Sequence, residues 1–179
     1  MDTNTALQPY TGEGYTPDHP SDKPHYRELP YNAEAEQGLL GALLVNNGAY
    51  EKIGDLLRAE HFFMPVHQRI FTALSQFIDR GQTASPVTLK NYFEKDEDLK
   101  DLGGGAYLAD LAGSIVSVIN ARDYAETIYE LFMRRELINL GEEIVNEAHQ
   151  HTLDSSAMNT IELAEGKLFS LAESGEVKG

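Results

Sequence analysis

Between Asn120 and Glu173 the sequence reads as two long helices folded back into a hairpin, and the first of them is apolar on two sides. Tyr124, Leu131, Ile138 and Val145 recur every seven residues along one face. Met133, Leu137, Leu140 and Ile144 keep their own three/four spacing, which at about 100° per residue falls on the opposite side of the cylinder. A helix apolar on two faces must be covered on both. The returning helix carries one stripe, Leu153, Ala157, Ile161, Ala164, Leu168 and Leu171, and can cover one. The other needs either the chain's own remaining helices or a second molecule. This pattern predicts a module that binds a partner or assembles with itself.

What such a partner could be is bounded by charge. The chain of 179 residues has a formal net charge of −15, and residues 120–173 are its most acidic part per residue, with eleven acids against four bases. Phosphate binding needs clustered Lys and Arg, so direct contact with nucleic acid or an anionic membrane is disfavoured. The absence of cysteine excludes disulfides and thiolate metal sites. No run approaches the roughly 18 apolar residues of a membrane span, and the first residues lack the pattern of a secretion signal. A cytoplasmic location is the expectation.

Upstream of the hairpin, residues 1–28 hold four of the seven prolines and few aliphatic residues, and are expected to be a disordered tail. Order is expected from Leu29. Asn32 is a good N-cap, Glu34 and Glu36 suit the first turn of a helix, and Ala35, Leu39, Ala42 and Leu43 give it a buried stripe ended by Asn46-Asn47-Gly48. A second helix is predicted through Tyr50, Ile53, Leu56 and Leu57, and an amphipathic third over His67–Arg80, closed by Gly81. Ser85-Pro86 opens another with Val87, Leu89, Tyr92 and Phe93. Gly103-Gly104-Gly105 breaks the chain before a short helix with Tyr107, Leu108 and Leu111. Residues 29–119 thus form a compact head of about five short helices, with an extended connector over Ser114–Ile119. Asn120 is expected to cap the first hairpin helix, and Gln150–Ser156 to form the hairpin turn. The fold class is all-α.

Candidate chemistry is sparse. The triple glycine is not followed by Gly-Lys-Ser/Thr and reads as a turn, and Gly166-Lys167 precedes Leu168 where a nucleotide site needs Ser or Thr. His149 and His151 are two apart, which points them away from each other on a helix, so no metal site is expected. His67 is expected to cap or pack at the start of its helix. Glu142-Glu143 reads as a solvated helical surface. Arg134-Arg135 interrupts an acidic helix. Arg135 lies close to the heptad stripe and is expected to form a structural ion pair with a carboxylate on a facing helix, within the hairpin or across an assembly interface.

Several blocks together resemble the N-terminal domain of bacterial replicative DNA helicases of the DnaB type. These are Leu29-Pro30-Tyr31-Asn32-Ala33-Glu34-Ala35-Glu36-Gln37-Gly38-Leu39-Leu40-Gly41; His61-Phe62-Phe63 with His67 and Ile70-Phe71; and Gly103-Gly104 with Tyr107-Leu108 and Leu111. Asn120, Tyr124-Ala125, Arg135 and Leu137-Ile138 resemble the start of the family's hairpin. Leu163-Ala164-Glu165, Leu168-Phe169 and Leu171-Ala172-Glu173 resemble its return helix. At Ala84-Ser85 the family more often has Ile-Asp.

The resemblance implies a non-catalytic assembly and recruitment domain. Its hairpins would pair between subunits as dimers, or as a hexamer built as a trimer of dimers, and it would dock the primase C-terminal domain. A helicase loader is a further candidate partner. Residues 174–179 would begin a linker to an absent ATPase domain. No cofactor is expected in this segment, since ATP and Mg would belong to that domain. The self-association surface is expected to comprise Tyr124, Ile128, Leu131, Phe132, Leu137, Ile138, Ile144, Ile161, Leu168 and Phe169. A stand-alone helical adaptor and the helicase-binding domain of a primase are the alternatives, and the long N-terminal tail counts against the second.

Overall fold

The computed structural model describes residues 27–114, 121–150 and 156–176. The expected tail (up to Tyr26), the connector with the Asn120 cap, and most of the hairpin turn with Leu153 lie outside them. Within the described residues the secondary structure is helical, without strands.

Helix α1 (Ala33–Val45) starts where Asn32 accepts a hydrogen bond from the Ala35 N–H at 2.9 Å. Asn47 then clips the end of α1 to a distant loop, donating to the Leu43 and Ala84 carbonyls and accepting from the Ala84 N–H. The helix expected through Tyr50–Leu57 is instead a 3-10 segment, Asn47–Lys52, followed by turns. The Tyr50 carbonyl accepts from both Ile53 and Gly54, which tightens the chain before an α-helix can propagate, yet Ile53 and Leu57 still reach the core. A second 3-10 turn spans Ala59–His61.

Helix α2 (Pro65–Asp79) begins two residues before His67, with proline at its first position. It ends in a Schellman motif, Gln82 N–H to Phe77 O and Gly81 N–H to Ile78 O, with Gly81 at φ 70°. Helix α3 (Pro86–Tyr92) is capped by Ser85 as expected. An additional helix, α4 (Glu97–Asp101), is capped by Asp96, and Arg69 of α2 holds both Asp96 and Asp98. It too ends in a Schellman motif, and this accounts for two of the three glycines: Gly103 (φ 109°) and Gly104 (φ 62°) donate to Lys100 and Leu99. Helix α5 (Gly105–Gly113) follows.

The first turns of α6 (Ala121–His149) complete the head core, where Ala121, Ala125 and Ile128 join Leu39, Leu40, Leu43, Ile70, Leu74 and Leu108. Each fully buried aliphatic side chain contributes about 1.5–3 kcal/mol by leaving water. Gly38 lets α6 lie close to α1, since a Cβ there would meet the Tyr124 ring at 2.9 Å. The head therefore extends into α6, past the boundary expected at residue 119. Beyond it α6 runs on and is accompanied by α7 (Ala157–Glu176).

Candidate interaction surface

A knot of buried polar groups joins head to hairpin, and sequence reasoning did not find it. Glu36, 2% exposed, accepts from the Phe63 N–H at 2.5 Å, from the Met64 N–H at 3.4 Å and from His67 Nδ1 at 2.5 Å. The other His67 nitrogen meets the Tyr107 hydroxyl at 2.7 Å, and Gln37 donates to that hydroxyl. With a proton on Nδ1, His67 donates to Glu36, and its other nitrogen meets the Tyr107 hydroxyl that takes the Gln37 hydrogen bond, so one chain runs from Gln37 to Glu36. Burial raises the Tyr107 pKa; the Gln37 hydrogen bond opposes this, and the Glu36 charge adds to it. The legible signal was spacing: Glu36 precedes Leu39, Leu40 and Leu43 by three, four and seven residues, placing it on the buried face.

The backbone segment that Glu36 holds is gripped from the other side by Arg135. Its guanidinium donates to the carbonyls of Pro30 and His61, both at 2.8 Å, and sits 5.3 Å from the centre of the Phe63 ring. Phe63 in turn stacks on Tyr31 at 4.4 Å. Among the described residues the acceptors of Arg135, 7% exposed, are these carbonyls and not a carboxylate of the hairpin, because the side chain lands on the head. Burial lowers its pKa, and the charges of Glu36 and Glu136 pull it back up.

The ten residues expected to form an association surface divide between two environments. Ile128 does not belong to such a surface: it is 2% exposed inside the head core. Tyr124 and Leu131 are half-buried, and Phe132 packs on the His61 ring at 4.6 Å. Leu137, Ile138 and Ile144 on α6, and Ile161, Leu168 and Phe169 on α7, stand exposed, with Phe169 at 64%.

The two apolar sets of α6 are not opposite where it leaves the head. A seven-residue repeat drifts by about 20° per heptad, so Ile138 and Val145 end beside Leu137 and Ile144, about 100° away. Together they form one broad exposed face around Gly141, at which a Cβ would meet nothing within 4 Å. A hollow lies between Ile138 and Val145 beside that glycine.

Helix α7 lies on the other side of α6 and covers it loosely. Among the described residues of α7 none is buried. Among the described residues, the Tyr129 hydroxyl donates to the Ser174 carbonyl at 3.0 Å, and Lys167 pairs with Glu143. That pairing raises the Lys167 pKa, chiefly through the hydrogen bond to Glu143. Between the helices lies a cleft of about 910 Å³, floored by Phe132, Leu140, Leu163 and Leu171. Counted around the helix, Ile161 and Leu168 point roughly opposite to the cleft. The hairpin therefore carries separate apolar faces on its two outer sides. Among the described residues no helix is long and apolar enough to cross a membrane, and no group of three or more acidic or histidine side chains is placed to hold a metal.

Comparison with known proteins gives one consistent result. Residues 28–130 match the family model of the DnaB-like helicase N-terminal domain. The replicative DNA helicase DnaB of Rickettsia conorii is 44% identical over 158 residues, covering 88% of this chain and 32% of that protein. The crystal structure of the N-terminal domain of DnaB helicase from Mycobacterium tuberculosis aligns with a TM-score of 0.70 at 25% identity, covering 80% of this chain and 99% of that one. A DnaB-like replicative helicase, whose structure was determined together with its interactions with primase, aligns with a TM-score of 0.61 at 25% identity, covering 78% of this chain and 31% of that one. The chain spans about a third of the length of the curated relatives it matches.

Proposed function

The chain belongs to the DnaB-like helicase N-terminal domain family, and on that premise we propose that it is the assembly and partner-recruitment domain of a replicative helicase. Copies associate through their hairpins into a hexameric collar built as a trimer of dimers, and the collar docks the primase C-terminal domain. Strand separation and ATP hydrolysis fall to an ATPase domain of the parent protein. This segment itself performs no catalysis and takes no cofactor.

The observation that carries the reading is the continuous exposed face of Leu137, Ile138, Gly141, Ile144 and Val145. Large contiguous apolar surface on a soluble chain marks an interaction site. A mid-helix glycine costs about 1 kcal/mol relative to alanine; here it opens a hollow into which a neighbour's side chain can fit. The second face at Ile161 and Leu168 supports an assembly larger than a dimer, because two separate faces can engage two neighbours.

Sedimentation velocity over a concentration series tests this. Ile138→Asp should weaken association roughly 100-fold or more, since an interface that buries an unpaired carboxylate loses several kcal/mol. Leu168→Asp should leave a smaller assembly standing. A wild-type chain that stays monomeric at high micromolar concentration counts against the reading.

A further inference from the structure

The cleft between α6 and α7 is distinct from both outer faces. We propose that it seats one amphipathic helix of a partner protein, apolar on the side that enters and bearing Lys or Arg along its flanks. The proposal rests on the recruitment reading above and assigns that recruitment a place and a chemistry.

Three observations carry it. First, the cleft is built open. The residues of α7 that line it include Gly166 and Ser170, too small to reach α6, and the ties of Tyr129 to Ser174 and Lys167 to Glu143 fix the helices while leaving the space between them. A Cβ on Gly166 would meet nothing within 4 Å. A groove of about 910 Å³ has room for several inserted side chains.

Second, its lining combines apolar side chains with a net excess of carboxylates. Phe132, Leu140, Leu163 and Leu171 supply apolar lining, and the charged lining is acidic on balance: Glu60, Glu136, Glu143 and Glu162 stand against Arg58 and Lys167, the latter paired with Glu143. No described cation lies within ion-pair distance of Glu136 or Glu162. An apolar trough flanked by carboxylates recognises a helix whose apolar stripe is edged by cations.

Third, a second copy of the hairpin is the wrong occupant. Residues 120–173 carry four bases, and each is already engaged. Arg122 and Arg134 pair with Glu126 and Glu130 on their own helix, Arg135 is buried against the head, and Lys167 bridges to Glu143. A neighbouring hairpin would bring further carboxylates against Glu136 and Glu162. The cations have to come from a different protein.

The test is calorimetric titration of the whole chain with the purified C-terminal domain of the cognate primase, repeated across a salt series. Glu136→Lys combined with Glu162→Lys reverses the walls, and Gly166→Leu fills the cleft on an exposed helical position. Glu165→Lys combined with Glu173→Lys makes the same change of net charge on α7 outside the cleft. Wild type should bind, with an affinity that falls as salt rises. Both cleft variants should weaken binding by about tenfold or more, and the outside pair by less than about threefold. Binding that survives both cleft variants, or falls equally with the outside pair, overturns the cleft and leaves recruitment standing. No binding by the wild-type chain overturns recruitment and the cleft together.

Discussion

Arg135 holds the hairpin to the head, and replacing it with methionine, of similar length but uncharged, tests how firmly. The wild-type side chain donates two charge-assisted hydrogen bonds, at 2.8 Å each, to Pro30 and His61, and stands over the Phe63 ring. The variant leaves the buried His61 carbonyl without that donor, at about 1–3 kcal/mol, while the Pro30 carbonyl can recover water. Loss of the cation–π contact adds roughly 0.5–2 kcal/mol. Release of the guanidinium from its desolvated position offsets part of this, so the expected net loss is about 2–4 kcal/mol. Arg135→Lys should lose about half as much, because an ammonium cannot fork to two carbonyls. Urea unfolding followed by circular dichroism reads both, at a protein concentration where association does not contribute. If Arg135→Met unfolds within about 0.5 kcal/mol of wild type, the head–hairpin junction does not depend on this residue as described.

The other expectations concern the head. His67→Leu leaves the Glu36 carboxylate buried with its two amide donors alone and should cost about 3–5 kcal/mol, part of which Glu36→Leu in the same chain should restore; chemical denaturation of the single and double variants measures the coupling. Gly104→Ala, at φ 62° and ψ −130°, should lower stability by about 1–3 kcal/mol, read as a lower urea midpoint. Burial pushes the Asp96 pKa up, but the Leu99 N–H and Arg69 outweigh it and hold the carboxyl below its ordinary value. Its contribution is therefore complete above the unfolded pKa of about 3.9 and is lost as pH falls from there through the folded value. Asp96→Asn should flatten the stability profile over that acidic window.

Local chemistry was readable where it is local. Asn32, Ser85-Pro86 and Gly81 mark helix ends because caps act over three or four residues. The short α4 and the 3-10 segment after α1 were not readable: they are decided by which groups a tight turn satisfies, and apolar spacing says nothing of that. Glu36 and His67 are 31 residues apart, and no single-chain pattern announces that pairing. Ile128 and Ile138 stood on one list because an apolar position on a helix reports that it is to be covered and not by what. The head covers the first and leaves the second bare. The relation of α6 to α7 was the least legible, since residues as polar as Glu136, Asn139 and Lys167 separate the two helices.

The central claim is that the bare face of α6 meets another copy of this chain. The protein has no cysteine, so Gly141→Cys reports on that face alone, and Val87→Cys, 78% exposed on the head, serves as its reference. Under mild oxidation at micromolar concentration, Gly141→Cys should form a disulfide-linked dimer readily, and Val87→Cys should remain largely single. If the two variants cross-link equally slowly, or the head position cross-links faster, the hairpin face is not where copies of this chain meet.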